Sequence, residues 1–237
     1  MRYRTKLLAL AMLAGASVAV PAAAQVSFAA SVPGLSIGVN VPTYPQLVRV
    51  PGYPVYYAPN VNTNLFFYDG MYWVYAGDNW YASSWYNGPW HAVDRFYVPD
   101  YILRVPVRYY RHAPAYFHGW RADAAPHWGE HWGSSWAQKR YGWDRWNRSS
   151  APAPAPLPTY QRQYSGSRYP QVTEQATIVT RTYRYEPRES VAQEHYKYQR
   201  QQVESHEHGE GKGKGHDKEK GKGHEQGKGK GHDKDKH

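Results

Sequence analysis

Histidines are the first residues in this chain whose type and spacing invite chemistry. His127-Trp128-Gly129-Glu130-His131 sets two imidazoles four positions apart with a carboxylate between them. On a helix that spacing turns both rings to one side, where they can hold zinc while the glutamate serves as base. Further imidazoles crowd the C-terminus at His206, His208, His216, His224, His232 and His237. They alternate with carboxylates and with Gly-Lys-Gly-His repeats at 213–216, 221–224 and 229–232. Such tracts bind Ni²⁺, Cu²⁺ or Zn²⁺ weakly and adaptably. The metal candidates are therefore His127, His131, His206, His208, His216, His224 and His232. A second kind of chemistry is ring stacking. All 10 Trp fall between residues 63 and 146. So many rings in so small a domain leave two readings open: a packed aromatic core, which is the favoured one, or a partly exposed patch, with Trp73, Trp80, Trp85 and Trp90 as candidates for stacking on a glycan.

Other classes are excluded by composition. The chain of 237 residues has no Cys, which removes disulfides, thiolate zinc sites, a cysteine nucleophile and an acylated N-terminal Cys. The formal net charge is +10, but it is spread along the chain with no block of one sign. Nucleic-acid binding needs a concentrated basic face, so no nucleic-acid partner is expected.

These candidates must be positioned by elements, and the chain divides into zones. Residues 1–24 read as a signal peptide: Arg2, Arg4 and Lys6, then an apolar run from Leu7 to Val20, then Pro21-Ala22-Ala23-Ala24. Cleavage is expected near Ala24, leaving a periplasmic or secreted protein with no later transmembrane segment. Residues 25–62 carry Pro33, Pro42, Pro45, Pro51, Pro54 and Pro59 and should stay extended. One short strand is expected from Leu35 to Val41. Residues 63–146 form the Trp/Tyr-rich domain. Residues 147–203 open on a stiff Ala/Pro linker at 151–158 and continue as a polar, weakly structured segment. Within it Ala176–Tyr185 suggests a strand and Val191–Val203 a polar helix. Residues 204–237 lack Leu, Ile, Phe and Trp and are expected to be disordered.

Inside the Trp-rich zone, aromatic runs alternate with turn signals. Leu65-Phe66-Phe67-Tyr68 precedes Asp69-Gly70, Met71 to Tyr75 precedes Gly77-Asp78-Asn79, and Trp80 to Tyr86 precedes Asn87-Gly88. Asp-Gly and Asn-Gly suit tight hairpins, whose central residues take positive φ. Three or four antiparallel strands follow, with a further edge run at Tyr101–Tyr110 split by Pro106. Trp128, Trp132, Trp136, Trp143 and Trp146 then fall on one helical face, although Gly129, Gly133 and Gly142 oppose a helix.

The stretches Pro51 to Pro59, Phe66 to Trp90, and Gly119 to Gly133 resemble a family of exported proteobacterial proteins. Trp85-Tyr86-Asn87-Gly88-Pro89-Trp90 is similar to the short WxxGxW repeat of envelope proteins. The resemblance spans roughly residues 35–146. It implies export and a shared Trp-rich domain and carries over no catalytic residue. Separately, His127 to His131 is similar to the H-x-x-E-H motif of inverted metallopeptidases. That family needs another carboxylate ligand and a large α+β domain, and neither is evident.

The sequence thus predicts a mainly β fold: a small aromatic-rich antiparallel meander with one Trp-faced helix, flanked by a Pro-rich linker and a disordered C-terminal tail. The functional expectation is a non-enzymatic envelope protein with a structural or interaction role, its partner an envelope glycan met by exposed aromatics. The alternative is divalent-metal binding by the His-rich tail, with no other cofactor. A metallopeptidase is the remote reading.

Overall fold

The computed structural model describes residues 38–211. Its centre is one open, six-stranded antiparallel sheet in strict sequence order. The strands are β1 (Val48–Arg49), β2 (Tyr56–Tyr57), β3 (Asn64–Tyr68), β4 (Met71–Ala76), β5 (Asn79–Ser83) and β6 (His91–Val93). The helices follow: α1 (Asp100–Leu103), α2 (Trp128–Trp132), α3 (Ser134–Lys139), α4 (Val172–Thr182) and α5 (Ser190–Gly211). The antiparallel meander expected from the sequence is present. Helix nevertheless exceeds strand, at 35% against 14%, so a mainly β description is too narrow.

Two tight turns fix the register of the central hairpins. Asp69 and Gly70 have φ of 52° and 83°, and Gly77 and Asp78 have φ of 54° and 62°. Both central residues are left-handed in each turn, which matches the twist of the flanking strands. Asn87-Gly88 makes no such hairpin. Residues 84–90 instead form a longer connection containing a cis Gly88–Pro89 bond.

The register splits the aromatics between two faces. Phe66, Trp73, Ala82 and His91 form one cross-strand row, and Leu65, Val74, Tyr81 and Ala92 form the next on the opposite face. Every residue of β3 is buried. A sheet covered on both sides has continuous apolar strands rather than alternating ones. The first face packs against Ile102, Leu103, Trp128, Trp136, Val191 and Tyr196. The second packs against Val41, Tyr86, Trp90 and Ala155, with Leu157 and Tyr185 alongside.

Several expectations change here. Residues 38–62 are part of the sheet unit: they supply β1 and β2, and Val50 and Val55 are fully buried. No strand forms from Gly38 to Val41, and residues 35–37 lie outside the described residues. Tyr101–Tyr110 is not an edge strand but α1 and a short 3₁₀ turn at Val107–Tyr109. The Trp-faced helix is two helices. Gly133, with φ 84° and ψ 175°, ends α2 and begins α3. The shared Trp face survives for Trp128, Trp132 and Trp136, while Trp143 and Trp146 sit half-buried beyond it.

The largest revision concerns residues 147–203. The Ala/Pro run lies along the second sheet face, with Ala155 buried. The expected strand at 176–185 is instead α4, through Thr182. Glu174 accepts the Gln171 N–H at its start, at 3.0 Å, and Gln175, Ala176 and Val179 form a buried stripe. Helix α5 docks through Val191, Ala192, His195, Tyr196 and Gln199. Its N-terminus is held by the first hairpin: the Asp69 carboxylate accepts the backbone N–H groups of Arg188 and Glu189 at 2.9 and 2.7 Å. The segment helps build the core because its tyrosines and glutamines bury with partners. Gln161, fully buried, accepts from the Tyr72 hydroxyl at 3.1 Å and donates to the Ser84 carbonyl at 2.8 Å.

Among the described residues no helix is long and apolar enough to cross a membrane.

Candidate functional site

The four tryptophans offered for stacking are interior. Trp73, Trp80, Trp85 and Trp90 are 0%, 1%, 0% and 5% exposed. Trp73 donates to the Tyr68 carbonyl and Trp85 to the Gln175 carbonyl, at 3.2 and 3.3 Å. Coverage of both sheet faces removes the exposed patch that Trp density left open. In this fold these rings are core and present no face to a glycan.

His127 and His131 are also engaged separately. His127 precedes α2 with φ −81° and ψ 61°, so it lies off the helical spacing that would align the two rings. It stacks on Trp120 with centroids 4.8 Å apart, and its Nδ1 sits 3.2 Å from Glu130. His131 stacks on Tyr116 at 3.9 Å and 8°, with Nε2 at 2.6 Å from Asp78 Oδ1. Among the described residues no group of three or more His, Asp or Glu side chains is arranged to hold a metal. His206 and His208 belong to the last turns of α5, while His216, His224 and His232 lie outside the described residues.

The interactions of His131 lead to a cluster that local spacing does not reveal. The β4–β5 turn holds Asp78 in a left-handed conformation, and its side chain folds back toward β4. Asp78 Oδ1 accepts from Tyr75 at 2.5 Å and Tyr116 at 3.0 Å, in addition to His131. The two tyrosine hydroxyls also touch each other. Partial burial pushes the Asp78 carboxyl up, but the bonds from Tyr75, His131 and Tyr116 outweigh it and hold the pKa below its ordinary value. Burial, then the bond to Asp78, drives the Tyr75 hydroxyl well above its ordinary pKa. The carboxylate is thus ionised and the phenols are neutral donors.

Beside this cluster lies a cleft of about 640 Å³. Asp78 and Tyr116 line it with Asn40, Asn62, Thr63 and His112. Its walls are fixed to one another. Asn64 donates to the His112 carbonyl and accepts the His112 N–H, both at 2.8 Å, and Asn62 Oδ1 meets His112 Nε2 at 2.6 Å. Chain segments far apart in sequence are therefore pinned before any ligand arrives.

A second polar group is internal. His195 Nε2 lies 3.2 Å from Ser84 Oγ, and Gln199 donates to the same hydroxyl at 2.7 Å. The His91 ring is 5.5 Å from His195. Burial, reinforced by His91, depresses the His195 pKa to about 3. This group holds α5 to the end of β5.

No protein-family model, curated protein or solved structure gives a significant match to this chain.

Proposed function

We propose that this chain is an exported, non-enzymatic envelope protein whose role is structural or interactive and directed at an envelope glycan. The observation that carries this reading is how its reactive side chains are used. Asp69 is bound by Tyr185, Arg188 and Glu189, Asp78 Oδ1 by three side chains, and His195 is interior. Hydrolytic chemistry needs a base within reach of a nucleophile or substrate; Asp69 and His195 are committed to holding the fold, and Asp78 is fixed through Oδ1. Export rests on the leader-like first 24 residues. The test is to express the chain with its own N-terminus, fractionate the cells, and measure binding of the mature chain to isolated sacculi. A mature N-terminus at Gln25 and cosedimentation with sacculi are expected. Cytoplasmic retention, or a mature chain left wholly in the supernatant, contradicts the proposal.

A second reading is divalent-metal capture by the C-terminal histidines. It is favoured by α5, which docks on the sheet through its first turns and runs on to Gly211, where the Gly/Lys/His repeat begins. Calorimetric titration of Ni²⁺, Cu²⁺ and Zn²⁺ tests it. Binding to the mature chain should be lost when His206, His208, His216, His224, His232 and His237 are changed to Asn. Equal binding by that variant rules the tail out.

A further inference from the structure

The cleft at the Gly77–Asp78 turn has the chemistry of a sugar site. Its polar lining is amide, hydroxyl and imidazole, from Asn40, Asn62, Thr63 and His112. One carboxylate, Asp78, adds an ionised acceptor, and among the described residues no Lys or Arg lines the cleft. Among the described lining residues an anionic ligand would find no Lys or Arg counter-charge. A neutral ligand dense in hydroxyls would find acceptors and donors set close together. Tyr116 supplies a ring wall, backed by the parallel His131 ring at 3.9 Å. Aromatic walls pair with the apolar C–H face that a pyranose presents beside its hydroxyls.

The acceptor is aimed and held. Asp78 Oδ1 is occupied by three donors, whereas Oδ2 has no hydrogen bond among the described residues. The side chain remains 53% exposed. A carboxylate fixed through one oxygen and open through the other is a preorganised acceptor, which lowers the ordering cost of binding. The Asn64–His112 clamp provides the same rigidity on the facing wall.

We propose that this cleft is a binding site for a neutral, hydroxyl-rich saccharide of the envelope, with Asp78, Asn62, Thr63 and Tyr116 as its contacts. The proposal rests on the glycan-directed reading above and locates the site on the outer cleft instead of the buried tryptophans.

The experiment uses the full mature chain, with the N-acetylglucosamine trimer as probe in calorimetry and isolated sacculi in cosedimentation. Asp78→Asn keeps a residue that tolerates positive φ and an oxygen that can accept from Tyr75, Tyr116 and His131, so the fold should be retained. Asn62→Ala changes an exposed residue outside the sheet. Near-UV circular dichroism checks the packed aromatics in both. Loss of a charged acceptor should weaken trimer binding by at least about tenfold. Reduced sacculus binding by both folded variants supports the site. Unchanged binding by both, with the wild type still sedimenting, overturns the cleft and leaves the glycan reading standing. A wild type that binds neither probe removes that reading and the cleft with it.

Discussion

Acid should loosen this fold through His195, and the size of the effect can be worked from its surroundings. His195 is 4% exposed, packed between Ser84, His91 and Gln199 where α5 meets β5. Burial, then the nearby His91, brings its pKa down to about 3. In the unfolded chain the value is about 6.5. The folded state therefore favours the neutral ring. Its contribution is fully present above pH 6.5 and is lost as pH falls towards 3, because the unfolded chain takes up a proton that the folded chain refuses. The slope is a little over 1 kcal/mol per pH unit, giving a loss of about 3 kcal/mol by pH 4.5. His91, also lowered by burial, acts in the same direction. Glu189, raised first by burial, acts in the opposite one. The assay is denaturant unfolding of the mature chain from pH 7.5 to 4.5, followed by Trp fluorescence. His195→Gln should remove most of the slope, and His195→Gln with His91→Gln should flatten it further. An unchanged pH dependence in the single variant would refute the argument that a neutral, buried His195 holds the helix.

Three other perturbations follow from the packing. Ending the chain at Ser150 removes Ala155, Val179, Val191, Ala192 and Tyr196 from the two cores, so the truncated protein should lose its near-UV circular dichroism. A native-like spectrum would show that the C-terminal segment is dispensable. Asp69→Ala deletes the acceptor for Tyr185, Arg188 and Glu189 and should destabilise by about 3 kcal/mol in chemical unfolding. An effect under about 0.5 kcal/mol, the range of ordinary surface changes, would contradict that anchoring role. Gly88→Ala puts a methyl 2.9 Å from Trp90 Cδ1 at φ +81°, so the thermal midpoint should fall. An unshifted midpoint would mean that the connection relaxes.

The sheet was legible in the sequence where local rules decide it. Asp69-Gly70 and Gly77-Asp78 mark two hairpins, and the aromatic runs between them are β3, β4 and β5. What covers the sheet was not legible. Residues 147–203 are poor in Leu and Ile, so counting aliphatics gives them no core. Their burial comes from Tyr183, Tyr196, Gln161 and Gln175, which pack with their polar atoms paired. Thr177-Ile178-Val179-Thr180 has strand composition, but contact with α5 and the Glu174 cap favour helix. The tryptophans are buried for the same reason: Val179, Val191 and Tyr196 on one face and Ala155 on the other complete cores that residues 63–146 alone could not close over ten indoles. The candidate site had still less local signal. Tyr75, Asp78, Tyr116 and His131 come from three separate parts of the chain, and Asp78 reads only as a turn residue. The H-x-x-E-H spacing pointed at His131 but assigned it the wrong partner, because His127 lies before the helix begins.

The central claim is that binding belongs to the outer cleft while the tryptophans serve the core. Heteronuclear NMR of the mature chain, titrated with the N-acetylglucosamine trimer, tests it most directly. Saturable shifts are expected at Asn40, Asn62, Thr63, Asp78, His112 and Tyr116, with the indole N–H signals of Trp73 and Trp85 unmoved. Shifts centred on those buried indoles, or saturable binding that leaves the cleft residues unperturbed, would contradict it.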